Sequence, residues 1–431
     1  MMASDTINQC FNNISISPLS IKNGSKWELR GNRSRIVPIN SEKLNVTRNI
    51  FDPNSEIDES VLINFHSSSQ LDILEILSKH TVTLDSISKM VHGTTMLGET
   101  DNVTNGNIER DPVFVEDKDF ILAAPHYYVG TPYFKTPNEG CSSHRDYSTF
   151  DLSIEKELKI YRRTIYKKVS FGLPSTRDYV YVNRKRAQPS NERTLISCII
   201  PPQTTHTIGT FSLQFNDRIS MVNFTASTHS IVFDFLMRIT NKVDFLYDTI
   251  KNLPLLNHNP HLIYRGLCLN CIDDRYAELW EEVVNSPTLN SIDIDRKHDL
   301  KRLRNPLNRA KWMIEIDVIS SIMLNLKLND LISIYSTQFP VLNNNDNDTW
   351  YDKEGQIIFT SSNNYSGVGL DRSEWNNVKD MPEGDHFEHT IEKSDLYKGK
   401  KVTYYAPFIK YDRIENYKVA WAHFENILNL N

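Results

Sequence analysis

The sequence predicts an α+β protein, a mixed sheet region followed by a mainly helical C-terminal domain. Three observations carry that prediction. The run Thr194 to Ile200 is β-branched and apolar and is stopped by Pro201-Pro202, so it reads as a buried strand that cannot continue its ladder. Residues 261–340 repeat apolar positions at helical spacing almost without interruption. Ahead of both, residues 93–150 set short apolar stretches among Gly, Thr, Asn, Pro and Tyr, as expected of strands joined by turns.

Taken in order, residues 1–60 are rich in Ser, Asn and Ile with little period and read as an extended arm, with one strand over Trp27 to Ile39. LDILEILSKH, from Gln70 to His80, fits one amphipathic helix. A short helix is expected at Leu84 to Val91, with Gly93 as its C-cap. Residues 93–150 carry short strands, Phe114-Val115 and Phe120 to Ala123, and an aromatic loop, His126 to Lys135. That loop suits a tyrosine-rich seam between sheets, or stacking on nucleic acid.

Past the central strand, Phe211 to Phe215 reads as a strand and Asn223 to Leu236 as one helix with a Phe-rich face. Further helices are expected at Leu262 to Val284, Leu303 to Leu324 and Leu328 to Gln338, the last capped around Asn329-Asp330 and stopped by Phe339-Pro340. NNNDND, residues 343–348, is expected to be a polar break. A hairpin over Thr349 to Ser362 and a terminal helix, Glu415 to Leu428, complete the chain. No internal repeat is present.

At 431 residues, 39% apolar and 24% charged, the composition is that of an ordinary soluble chain of two or three domains. No apolar run is long enough to cross a bilayer, and MMASDTINQCFNN lacks a basic-then-apolar signal, which predicts a cytoplasmic chain with no membrane partner. Five cysteines, an odd number, argue for free thiols. Cys268 and Cys271 form a single CxxC with no second pair to complete a zinc site, so a packed helix is expected there.

Charge is unevenly placed. The net charge is −6, yet from Lys159 to Arg193 there are ten Lys or Arg against two Asp or Glu. Arg184-Lys185-Arg186 stands beside the turn Gln188-Pro189-Ser190-Asn191 and ahead of the buried strand, so guanidinium groups are expected on a loop held by a rigid element, free to meet phosphate or base edges. The alternative is a solvated face of ordinary strands.

Catalytic signatures are sparse. The one Pro-Pro, at 201 and 202, lacks the amide and aromatic neighbours that hold a flipped base. Ser366-Gly367-Val368-Gly369 reads as a plain glycine turn, with no acidic residue closing a following strand. A magnesium nuclease could be built on Asp146 or Asp151 with Glu157 and Lys159; an exposed charged turn is the simpler reading.

RKRAQPSNERTLISCIIPP, followed by Phe233-Asp234-Phe235 and Leu253-Pro254, resembles the target-recognition region of the large adenine-specific DNA methylases of type IIG restriction and of the BREX and DISARM defence systems. Other pieces agree in order: Trp27-Glu28-Leu29-Arg30, Phe65-His66-Ser67, Pro132-Tyr133-Phe134-Lys135, Leu267-Cys268-Leu269-Asn270, Ala277-Glu278-Leu279-Trp280, Glu315-Ile316-Asp317, Gln338-Phe339-Pro340, Trp350-Tyr351-Asp352 and Gly367-Val368-Gly369-Leu370. The resemblance covers essentially the whole chain and lies with the C-terminal half of such enzymes. Their cofactor loop and Asn-Pro-Pro-Tyr-type motif are missing from this sequence.

The resemblance implies a non-catalytic DNA-recognition component whose partners are double-stranded DNA and a methylase catalytic subunit, with S-adenosylmethionine on that subunit and no cofactor in this chain; the alternative it leaves is a non-catalytic remnant of a split methylase gene. It implies an arm and helix over 1–80 that contacts the catalytic partner, a target-recognition domain over 81–257, a helical domain over 258–342 and a small mixed segment over 343–431. The DNA-binding set combines the basic and aromatic stretches: Tyr133, Lys135, Arg163, Lys167, Lys168, Arg184, Lys185, Arg186, Ser190, Asn191 and Arg193. The Ser190 to Thr194 turn is expected to serve as scaffold, and the loops Thr94 to Asn107 and His126 to His144 to select sequence.

Overall fold

A computed structural model describes residues 39–428, apart from 54, 58–62, 64–67, 111–112, 115–119, 142–145, 155–162 and 366. The expected strand at Trp27 to Ile39, the Phe65-His66-Ser67 turn, and Glu157 and Lys159 lie outside or at the edge of the described residues. The fold is α+β, as the sequence predicts.

Its centre is a four-stranded antiparallel sheet in the order Val91–Thr94, Thr210–Phe215, Val180–Arg184, Ser197–Ile200. Val182 sits between Cys198 and Ser212 in register, and the strand Ser197–Ile200 is buried throughout, as its β-branched run and terminal prolines require. The expected helix at Leu84 to Val91 is a 3₁₀ turn, Leu84–Met90, because Val91 leaves it to pair with Phe215. Gly93 therefore lies within a strand. A Cβ there would stand 2.6 Å from the Phe211 ring, so the site requires the absence of a side chain rather than a helix cap.

The sheet packs on helices from both sides of residue 257. Arg218–His229 lies against the strand Ser197–Ile200 and against Pro260–Asn270, where Gly266 lets the two helices close to a separation at which a Cβ would meet Ala226 at 2.8 Å. Pro306–Met323 packs on Arg218–His229, on Pro260–Asn270 and on the last helix, Arg413–Leu428. One hydrophobic core runs continuously from Val182 and Ile199 through Phe224, Leu267 and Ile319 to Phe424. Packing is thus shared between the stretches 81–257 and 258–342.

Helix ends carry local signals and long-range ones. Asn259 and Asn305 cap the helices whose first residues are Pro260 and Pro306, each accepting from a backbone amide in the first turn. Leu328–Gln338 runs where the sequence places it, with Asp330 accepting from the Lys327 amide at 2.8 Å. The helix expected over Asn223 to Leu236 is two, Arg218–His229 and Ile231–Ile239. Ser230 is extended between them, and Asp317, brought in from Pro306–Met323, accepts the freed Ile231 amide at 2.8 Å. Leu262 to Val284 is likewise interrupted, as Pro260–Asn270 and Ala277–Val284, and Pro306 separates Leu300–Arg304 from the long helix. The expected polar break at 343–348 is instead the end of a helix, Pro340–Asn347, because Tyr335 and Arg413 both donate to Asp346 and hold that turn in place.

The C-terminal segment has its own smaller core around Ile358, Trp375 and Tyr404, under a hairpin of His386–Thr390 with Lys401–Tyr405. Residues 91–173 hold a third cluster, Leu97, Ile108, Ile121, Cys141, Ile165 and Tyr166. Among the described residues no helix is long and apolar enough to cross a membrane.

Candidate functional site

The stretch Tyr179 to Pro202 divides, in three dimensions, into an inward and an outward part. Its turn is closed by the Asn191 amide donating to the Gln188 carbonyl at 3.0 Å and by the Asn191 side chain donating to that of Gln188 at 2.6 Å, leaving Ser190 exposed at the apex. Beyond the turn the chain dives. Glu192 and Arg193 are both buried.

Arg193 meets Asp234 of the helix Ile231–Ile239 at 2.6 Å and also donates to the His229 carbonyl at 2.7 Å. The same Asp234 carboxylate accepts the Thr194 and Leu195 amides, so one buried anion is surrounded by donors from the turn. Arg238 fastens the other side. It donates to the Thr194 hydroxyl at 2.8 Å and the Asn191 carbonyl at 2.9 Å, and its guanidinium lies 4.3 Å from the Phe339 ring centre. Glu192 accepts from the Tyr128 hydroxyl at 3.1 Å, from Asn364 at 2.8 Å, and from Asn345 and Ser362. The turn is therefore a scaffold that ties the sheet to the helical layer and to the C-terminal segment.

Arg193 was expected to face DNA. Its guanidinium is enclosed and charge-paired, so phosphate cannot reach it in this fold. Tyr133 is also interior, 1% exposed, with the Arg275 guanidinium 4.0 Å from its ring centre. Arg184 ends its strand half-buried, donating to the Tyr127 carbonyl and lying over the rings of Tyr127 and Tyr128. Burial holds its pKa below the ordinary arginine value.

The remaining cations reach solvent to different degrees. Arg186 is 69% exposed, 3.3 Å from Asp244, while Lys185 is mostly covered and 3.9 Å from the same carboxylate. Lys135 is half-buried beside the Phe134 ring; burial first, and Arg184 second, lower its pKa to about 8, against the opposing pull of Glu192. Lys167 is exposed and Lys168 half-buried on a short strand paired with Ile108–Glu109. Arg163 lies in a strand paired with Val113–Phe114, its side chain outside the described residues. The structure thus gathers Lys135 with Arg184, and Lys185 with Arg186, and places Lys167 and Lys168 in a different sheet.

Of the two loops expected to select sequence, Thr94 to Asn107 contains a helix, Glu99–Thr104, and His126 to His144 contains the strand Lys135–Pro137 paired with Tyr147–Thr149. A cavity of about 170 Å³ opens beside the second, between the Tyr128–Phe134 ring stack and the helix Pro306–Met323. Its charged lining is already engaged: Arg309 donates to the carbonyls of Gly130 and Leu269, and Asp346 accepts from Arg413. Its walls come from segments spread between residues 128 and 413, which no local sequence signal could have assembled.

The candidate metal carboxylates do not converge among the described residues. Asp151 is buried and accepts the amide and hydroxyl of Ser153, while Asp146 accepts from Asn138 at 2.8 Å. Burial raises the Asp151 pKa, with the Ser153 hydrogen bonds opposing. Cys268 and Cys271 are buried free thiols in and just after a helix, and burial pushes Cys268 up to about 12, so neither has the character of a reactive thiolate. Gly367 and Gly369 adopt positive φ, and a Cβ on either would crowd Ser394 or the Ile358 carbonyl, which accounts for both glycines by turn geometry. No protein-family model matches the chain, and no curated protein matches it.

Proposed function

We propose that this chain is the DNA target-recognition component of an adenine-N6 DNA methyltransferase of restriction–modification or phage-defence type. A separate chain binds S-adenosylmethionine and performs the transfer. Two things support the reading: the ordered resemblance described above, and the surface character of one stretch.

The stretch is 163–177, and it is the observation that carries the proposal. It holds four Lys or Arg and no Asp or Glu, in a chain whose net charge is −6. Lys167 and Arg177 stand in solvent, and Arg186 adds an exposed guanidinium from the neighbouring basic stretch. Such cations neutralise phosphates and release condensed counterions, which orients a duplex without reading its sequence. Sequence is then read at base edges by polar side chains presented nearby. Arg193, Arg184 and Tyr133 contribute by holding the scaffold rigid, not by touching DNA.

The test is fluorescence anisotropy of the full chain, alone and with its catalytic partner, on duplex DNA over a range of salt. Affinity should fall linearly in log–log form, and Lys167→Ala or Arg186→Ala should each reduce the slope by about 1. Affinity that ignores salt and both substitutions would sink the proposal. In the host, deleting the gene should erase one methyladenine motif from the methylome.

A further inference from the structure

The stretch 163–177 carries a second feature that phosphate contacts do not explain. Phe171 is wholly exposed, at 104% of its reference area, and Val169 is 47% exposed. Burial of a phenylalanine is strongly favourable, so a bare one on a rigid support is informative in a way that a scattered exposed leucine is not.

The support is well defined. Lys167 and Lys168 pair with Glu109 and Ile108, and the ladder ends where the Val169 and Ser170 amides both donate to the Asn107 carbonyl. The Ser170 hydroxyl donates to the Asn107 side chain at 2.9 Å, and Asn107 in turn donates to Asn102 of the helix Glu99–Thr104. On the far side Leu173 packs on the small core of Leu97, Ile108 and Tyr166. Gly172 turns the chain at φ +80, a conformation that residues with a Cβ adopt only under strain. Phe171 is therefore held between two anchored residues, projecting from the end of a strand pair.

The strand itself is Lys167–Lys168; past it the chain bends into a turn where Val169 and Phe171 are exposed and Ser170 is half-buried. An aromatic tip four residues from an exposed cation, on a segment with four Lys or Arg and no carboxylate of its own, complements a polyanion with stacked apolar bases inside it, although Glu109 stands opposite Lys167 in the strand pair.

We propose that Phe171 is a wedge that enters the base stack of double-stranded DNA, with Val169 lining the groove and Lys167 on an adjacent phosphate. This rests on the DNA-recognition reading and adds the contact that deforms the duplex. Insertion unstacks one base step and kinks the helix there, so that the target is read partly through its deformability.

The experiment uses the full chain and mixed-sequence duplexes carrying 2-aminopurine at successive positions, with anisotropy read on the same samples. Binding should raise 2-aminopurine emission severalfold. Phe171→Ala should abolish the rise while leaving the salt slope of binding unchanged, and Phe171→Trp should retain the rise. Salt-dependent binding with no emission change, or a change that Phe171→Ala preserves, overturns the wedge and leaves DNA recognition standing. Absence of any salt-dependent binding overturns both. If Phe171→Ala instead leaves DNA binding and emission intact but releases the methylase chain on co-purification, Phe171 is a protein contact and the wedge is wrong.

Discussion

The stretches 163–177 and 184–193 each carry four Lys or Arg, and in the sequence they look alike. Folding sends them to opposite fates. In 184–193, Arg193 is sealed against Asp234, Arg184 lies over Tyr127 and Tyr128, and Lys185 is largely covered, which leaves Arg186 as the cation in solvent. In 163–177, Lys167 and Arg177 remain outside and an aromatic residue joins them. The difference lies in what is waiting across the fold. Asp234, 41 residues from Arg193, arrives on a helix whose whole length is buried, whereas the carboxylate opposite Lys167 in its strand pair, Glu109, is itself exposed and leaves Lys167 in solvent. Cation density in a sequence therefore locates candidates, and the distant carboxylates decide which of them become structure.

That contrast can be broken most directly at Asp234. Asp234→Ala leaves Arg193 buried and unpaired and strips the Thr194 and Leu195 amides of their acceptor, so urea unfolding should show a loss of about 3–5 kcal/mol. A loss below about 1 kcal/mol means the ion pair is incidental. Next in size is a pH effect, because interior groups respond to protons where surface cations respond to salt. His206 is buried, its ring hydrogen-bonded to Ser212 and Thr207, and burial lowers its pKa from 6.5 to about 4. The unfolded chain binds this proton first, so its contribution is complete above pH 6.5 and is lost as pH falls to 4. Stability of the wild type should fall more steeply than that of His206→Asn by about 1.4 kcal/mol per pH unit in that window, and equal slopes would count against a neutral buried ring.

Glu192→Ala removes the acceptor shared by Tyr128, Asn345, Ser362 and Asn364 and should cost about 2 kcal/mol in the same denaturation assay. A near-zero cost would mean that water takes over the four donors freely. The smallest effect is expected at Arg186, where Ala should change stability by less than about 0.5 kcal/mol while reducing the salt slope of DNA binding. Thermal melts that rank Arg186→Ala alongside Asp234→Ala would erase the distinction between the two stretches.

Much of the fold was legible wherever the deciding interaction is local. Leu328–Gln338 follows from its apolar period, from Asp330 three residues after its cap, and from Pro340 just beyond its end. Ser197–Ile200 follows from β-branching and two prolines. Pro306 is a local break as well, and it separates Leu300–Arg304 from Pro306–Met323 although the apolar period runs across it. Other boundaries had no local cause. The break at Ser230 depends on Asp317, 86 residues away, and the helix Pro340–Asn347 depends on Arg413 reaching Asp346 across 67. Gly93 reads as a helix cap until Phe211 is seen against it.

For the candidate site the division is sharper. Sequence by itself determined the α+β class, the strands Ser197–Ile200 and Thr210–Phe215, the place of the longer helices, the cationic segment and the turn at Ser190, since those rest on periodicity, β-branching and proline geometry within a few residues. Tertiary structure alone decided that Arg193 and Tyr133 are interior and Arg184 half-buried while Lys167, Phe171 and Arg186 stand outside. The reason is physical. A charge is buried only where a partner offsets its desolvation, and that partner is brought by the packing of distant segments rather than by neighbours in the chain.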